Sequence, residues 1–306
     1  MKNYELGFYV VPEPEKMRRQ INVLSGMGIR YIGTDGFCGW EDNAFTEKIA
    51  EIIGKSEMKL HSFHSPFGLM FPRLENLDRS LSDNYRIIDV ARSWGAKNIV
   101  WHMRWFRRYE HDTHFASVNV MDEMGQERID ELMSQVLPGT CAYAARYGIN
   151  INLENMPLFS WDRDCDNILG FIRNQGLKNL GFIYDIGHAW CSGIDPASPI
   201  LNSGHLLKDT HFHDNYGVLD YDLNRVATIA DISKYDLHLP VGLGTINWLH
   251  VIRALRQINY SSPIIFEGTH MKGHPEEASI EQYCRSVRLT IDNWRASEEL
   301  AEYLKI

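Results

Sequence analysis

The chain has 306 residues, 44% of them hydrophobic, with a formal charge of −9 and five cysteines. That composition describes a globular chain long enough for one large α/β domain or two ordinary ones, and its acidic balance argues against a general nucleic-acid or anionic-membrane binder. An odd number of cysteines without C-x-x-C spacing argues against a disulfide framework. No run approaches the roughly 18 apolar residues of a membrane span, and the first residues carry no signal-like apolar core, so a cytoplasmic location is expected.

In chain order, residues 6–11 read as a first strand and 13–27 as a helix, with Pro12 and Pro14 near its start. Gly26 and Gly28 bracket the end of that helix, and 29–33 is a second strand. Phe45, Ile49, Ile52 and Ile53 have helical spacing within 44–57. A third strand at 59–64 is closed by Ser65-Pro66, a long amphipathic helix covers 76–94, and a fourth strand covers 98–102. A helix over 122–147 precedes the fifth strand at 149–154, and a helix over 164–175 precedes the sixth. That sixth strand, in Leu180-Gly-Phe-Ile-Tyr-Asp-Ile-Gly-His188, is an apolar run delivering Asp185 and His188 at its C-terminal end. The seventh strand is placed at 210–214, a helix at 245–258 after Gly242 and Gly244, the eighth strand at 263–267 and a last helix at 276–303.

Strands alternating with helices, without a linker or low-complexity break, predict parallel βαβ units. Eight units in a chain of this size favour one α/β domain, a single closed (β/α)8 barrel over 1–306, with an open doubly wound sheet as the alternative. The absence of G-x-G-x-x-G after the first strand counts against a dinucleotide-binding version. Two connections are unusually long. One, at 104–121, carries Trp105, Phe106, Arg107, Arg108, Tyr109, His111 and His114, and the other covers 216–236. Both are expected at the C-terminal rim, as substrate lids or as contacts in a homo-oligomer.

The barrel would bring His64, His102, Glu154, Asp185, His188, His211, His213 and Glu267 to one end. A single polar strand end has a bland explanation as a hydrogen-bonded cap; six strand ends bearing metal-type donors do not. Glu154 and Glu267 follow apolar residues, and a lone carboxylate at the top of a core is costly unless paired or bound to a cation. A divalent metal is therefore expected. Mixed carboxylate and imidazole donors suit manganese, cobalt, magnesium or zinc, and the absence of cysteine donors argues against a structural zinc site. His211 and His213, two apart on a strand, face the same way, so one can ligate while the other orients or binds substrate. His61 and His64, three apart, are expected to face opposite ways, which selects His64. The turn Gly242-Leu-Gly244-Thr245 before a helix is read as a turn with an N-cap, with phosphate binding by its backbone as the alternative.

Several segments, taken in order, resemble the xylose-isomerase-like barrel superfamily of sugar isomerases and epimerases, inosose dehydratases and endonuclease IV. They are Leu153-Glu154-Asn155, Asp185-x-x-His188-Ala189, His211-Phe-His-Asp214-Asn215, Asp236-Leu-His238-Leu-Pro-Val-Gly242-Leu-Gly244-Thr-Ile-Asn-Trp248 and Phe266-Glu267. The resemblance implies a metal held by Glu154, Asp185, His211 (with His213 as the fallback) and Glu267. It also implies proton transfer next to a carbonyl, through an enediolate, with Glu154 and Glu267 as base and acid. His64, His102, His188 and His213 would then bind substrate, and Asp236 and His238 would support them or hold a further metal. The expected partner is a small sugar or sugar phosphate. A keto-sugar or inosose lyase or dehydratase would use the same site. Endonuclease IV is the rival, since nine residues of this chain match the places of its three-metal set. The chain departs from that enzyme at His102-Met-Arg-Trp, Glu154-Asn-Met-Pro and His211-Phe-His-Asp.

Overall fold

In the computed structural model, which describes residues 4–36, 39–66, 77–102, 126–157, 162–218, 234–268 and 276–304, eight parallel strands close into a ring in chain order. They are β1 (Leu6–Val10), β2 (Tyr31–Asp35), β3 (Lys59–His64), β4 (Asn98–His102), β5 (Asn150–Glu154), β6 (Leu180–Asp185), β7 (Leu207–Phe212) and β8 (Ile264–Phe266). The ring closes where Leu6, Gly7 and Phe8 pair with Ile264, Ile265 and Phe266. This is the (β/α)8 barrel that strand–helix alternation predicts.

Around the ring run α1 (Pro14–Gly26), α2 (Asn43–Gly54), α3 (Leu77–Trp94), α4 (Gln126–Ala145), α5 (Cys165–Gln175), α6 (Ile186–Cys191), α7 (Ser198–Ser203), α8 (Trp248–Gln257) and α9 (Glu276–Leu304). Local chemistry sets several of their ends. Asp42 accepts from the N–H groups of Ala44 and Phe45 at the start of α2, and Gly176, at φ 63°, ends α5 in the left-handed conformation. The apolar stripes face the barrel: Ile49, Ile52 and Ile53 of α2 are all buried, and Trp94 of α3 packs edge-on to Phe63 of β3. Each buried aliphatic side chain contributes about 1.5–3 kcal/mol, so this outer layer holds the ring and leaves the strand ends free to carry polar groups.

Two strands lie elsewhere than predicted. β2 starts at Tyr31, not at residue 29, because the turn after α1 extends through Gly28 at φ 73°. β7 begins at Leu207 and leaves the ladder after Phe212, where Asp214 turns away to bridge antiparallel with Leu239. Side-chain alternation also breaks at His61. Between β2 and β3 the register jumps from Ile32↔Leu60 to Gly33↔Ser62, so His61 is the extra residue of a bulge. It reaches Asn98 and Asp209 low in the barrel, while His64 stands at the top. His64 belongs to the mouth, but for its height, not because the two rings face apart. Of the long connections, 104–121 and 219–233 lie outside the described residues. Among the described residues, no helix is long and apolar enough to cross a membrane.

Candidate active site

The C-terminal ends of the strands deliver donor atoms in three adjoining groups. In the first, one ligand-type atom each from Glu154, Asp185, His211 and Glu267 lies within 4.8 Å of the others. His211 donates from Nδ1 to Glu154 Oε1 at 2.8 Å, and the same nitrogen is 2.9 Å from Glu267 Oε2 and 3.9 Å from Asp185 Oδ2. Its Nε2 lies 3.1 Å from the hydroxyl of Tyr9. In the second group, His102 Nε2 is 2.6 Å from Glu154 Oε2 and His64 Nε2 is 3.1 Å from His102 Nε2. Because the Ser65 carbonyl, 3.0 Å from His64 Nδ1, can only accept, that nitrogen carries the proton and Nε2 presents its lone pair. The third group is His188, His213, Asp236 and His238, with Asp236 Oδ2 3.3 Å from His188 Nε2 and 3.1 Å from His238 Nε2. His213 stacks flat on His238 at 3.8 Å and meets Asp185 Oδ2 through Nε2 at 2.9 Å.

Glu154 is common to the first two groups, and Asp185 joins the first to the third. His211 stands among all three carboxylates of the first group, whereas His213 lies in the third group and touches the first through Asp185, at 2.9 Å.

Charge accounts for the titration of the cluster. Burial works against protonation of His211, yet Glu267 and Glu154 outweigh it and hold its pKa well above the usual 6.5. Burial likewise raises the Glu154 carboxyl, but His211 and His102 bring it well below the usual range. His64, penalised first by burial and then by His102, is pushed down to about 4. His238 is held up to about 9 because Asp236 overcomes the burial penalty.

Among the described residues, Glu267 Oε2 is buried and receives no hydrogen bond, since the single Nδ1 proton of His211 is aligned on Glu154. Asp236 Oδ1 is orphaned in the same way. Three carboxylates against one imidazolium leave an uncompensated negative charge in a dry site, and an acceptor without a donor costs about 1–3 kcal/mol. A divalent cation would answer both deficits, so the donor set fits the metal that the strand ends lead one to expect.

Residues outside the strand-end pattern prepare this geometry. Asn155 accepts from Asp185 N–H at 2.9 Å, donates to the Asp185 carbonyl at 2.8 Å, and takes the Nδ1–H of His188 on its own carbonyl at 2.8 Å. It fixes the position of one residue and the tautomer of another. Its signal was its place directly after Glu154. Asn155→Ala is expected to weaken divalent-metal binding by about 10–100-fold, measured by competition with a chromophoric chelator. Tyr9 left no signal, being one aromatic inside the first strand; it has room because a β-carbon at Gly33 would collide with its ring. A β-carbon at Gly187 would similarly overlap the His213 ring. Gly187→Ala should therefore displace His213 from Asp185 and cost about 1–3 kcal/mol, read as a lower melting temperature.

The glycine turn after His238 serves a different purpose from phosphate binding. Asp214 accepts from Gly242 N–H at 2.9 Å, Ile246 N–H at 3.2 Å and Trp248 Nε1–H at 2.8 Å, and Thr245 N–H goes to the Asn215 carbonyl. These donors are spent inside the protein, holding the segment that carries Asp236 and His238. His238 itself sits at φ 48°, a left-handed conformation that costs a non-glycine residue on the order of 1 kcal/mol. Asp185 caps the short helix α6 by accepting from His188 N–H at 2.6 Å, which explains the spacing of that pair.

These features define a (β/α)8 barrel with its carboxylate–imidazole centre at the C-terminal mouth. The chain belongs to the xylose isomerase-like TIM barrel family, whose sequence pattern matches residues 22–289. The uncharacterized protein MJ1311 of Methanocaldococcus jannaschii is 34% identical over 134 residues, which are 42% of this chain and 40% of that protein. Among solved structures, the 3-keto-D-glucoside 4-epimerase YcjR of E. coli superposes with a TM-score of 0.69 at 17% identity, over 94% of this chain and all of that one. The IolI protein with a bound zinc atom superposes with a TM-score of 0.64 at 14% identity, over 94% of this chain and 97% of that one.

Proposed function

We propose that the protein is a divalent-metal-dependent isomerase or epimerase of a sugar or sugar phosphate. The observation that carries this reading is that two carboxylates, Glu154 and Glu267, approach one imidazole nitrogen of His211 from two strands, at 2.8 and 2.9 Å, with Asp185 beside them. Glu154, Asp185, His211 and Glu267 would hold the ion. When bound, it would polarise the substrate carbonyl and lower the cost of charge developing on that oxygen. That YcjR is a 3-keto-D-glucoside 4-epimerase and that IolI binds zinc support the same reading.

The protein's own residues supply the rest. One glutamate takes the proton from the carbon next to the carbonyl, giving an enediolate. Return of a proton by the same glutamate keeps the face, and return by the opposite one inverts it, so a pair serves isomerisation and epimerisation alike. His64, whose Nε2 lies 3.1 Å from His102 Nε2, would bind a substrate hydroxyl together with it. His188, held above its usual pKa by Asp185 and Asp236 against the burial penalty, would donate to an oxygen. His102 and His213 would complete the polar wall.

One observation favours a second reading, an abasic-site endonuclease. The groups His64–His102–Glu154 and His188–His213–Asp236–His238 flank the first and share or touch its carboxylates, as a multi-metal site requires. The −9 charge and the segments after His102, Glu154 and His211 weigh against it. One metal-loaded preparation, given a panel of ketoses and keto-sugars and an abasic-site duplex, separates the readings. Interconverted sugars support the proposal, loss of water from the sugar indicates a dehydratase on the same site, and strand nicking alone overturns it.

A further inference from the structure

At the opposite, N-terminal end of the barrel, a cavity of about 690 Å³ opens between the last turns of α2 and α3 and the beginnings of β2 and β3. That volume lies in the range of small-molecule sites, about 300–1,000 Å³. Its walls are apolar where Ile53, Met58 and Leu60 line it, and its cations are Lys59, Arg92 and Lys97. Among the described residues, no carboxylate lines it.

The bland explanation is that these bases offset two helix C-termini. Each helix end carries about half a negative charge, so two of them balance about one of the three cations. Asp89, 3.8 Å from Arg92 Nε, takes up part of a second. The cavity stays positive, in a chain whose formal charge is −9.

A second observation comes from its floor. His61, only 8% exposed, lines the cavity from within the β3 bulge. Its Nε2 lies 3.0 Å from Asn98 Nδ2, which can only donate, so Nε2 accepts and the ring proton sits on Nδ1. Among the described residues, Nδ1–H finds no acceptor in the protein, and it is the donor His61 has to offer. Asp209 Oδ1 lies 3.5 Å from Nε2.

We propose that this cavity binds a small organic anion bearing an apolar ring, its ring on Ile53, Met58 and Leu60 and its anionic group between His61 and the lysines. The inference is independent of the reaction at the mouth. Phenyl phosphate and benzoate present the two common anionic groups, and benzyl alcohol presents the ring without charge. Ligand-observed NMR titrations on the metal-loaded protein and on the double variant Lys59→Glu/Lys97→Glu make the test. Both substitutions fall on exposed side chains, and melting temperature and metal content serve as controls for the fold. At least one anion should bind about tenfold or more tightly than benzyl alcohol and lose about tenfold or more in affinity in the double variant. The stronger anion identifies the headgroup. Absence of binding by both anions up to about 10 mM, or equal affinity in the wild type and the double variant, would overturn the proposal.

Discussion

Glu154→Gln and Glu267→Gln are each expected to lower turnover by about 10²–10⁴-fold, the range over which a positioned acid or base acts, with the fold retained. Glutamine matches glutamate in size, so the packing of this buried end of β5 persists. It cannot accept a proton, however, and its amide nitrogen cannot accept from His211. Glu154 is 1% exposed and faces both His102 and His211, so its replacement will also lower the pKa of His211 and loosen the ion. Glu267 is the cleaner probe. Its side chain is 17% exposed and one of its oxygens is already without a hydrogen bond, so the fold depends on it less. Steady-state kinetics at saturating metal, beside thermal melts, separate loss of chemistry from loss of structure. Full activity of Glu267→Gln at normal metal content would remove it from the mechanism.

Metal removal is expected to have the second large effect. Exhaustive chelation should abolish turnover and lower the melting temperature, and both should recover on adding a divalent ion. At a free ion concentration a thousandfold above Kd, the stabilisation is about 4 kcal/mol. The site also predicts how binding depends on pH. Without metal, His211 is held protonated at neutral pH by Glu267 and Glu154, against its burial penalty. A ligating imidazole must be neutral. Ion binding at pH 7 should therefore release about one proton, and affinity should rise about tenfold per pH unit until the raised pKa of His211 is passed. Calorimetry in two buffers of different ionisation enthalpy measures that proton. Proton uptake, or an affinity independent of pH between 6 and 8, would contradict the assignment of His211.

Much of this site can be read from the chain because barrel topology converts sequence order into place. Once the strands ending at His64, His102, Glu154 and Asp185 are recognised, closure brings their last residues together without any knowledge of packing. What stays hidden depends on geometry that periodicity does not carry. The His61 bulge overturns side-chain alternation by inserting one residue. Tyr9 reaches His211 only because Gly33 lies beside it in the next strand. Helix α6 is six residues long, too short to show a helical period, yet it sets the angle between Asp185 and His188. Asp214 is visible as part of the His211-Phe-His-Asp segment, but its work of gathering the turn that carries Asp236 and His238 rests on partners 28 to 34 residues away.

The most direct test follows protons at carbon. Metal-loaded protein, incubated in deuterated water with a ketose it interconverts, should place deuterium on the carbon next to the carbonyl, as seen by NMR. Chelated protein and Glu267→Gln should place almost none. Interconversion with no deuterium incorporated by the metal-loaded protein, or with undiminished incorporation after chelation, would contradict a metal-assisted proton transfer between Glu154 and Glu267.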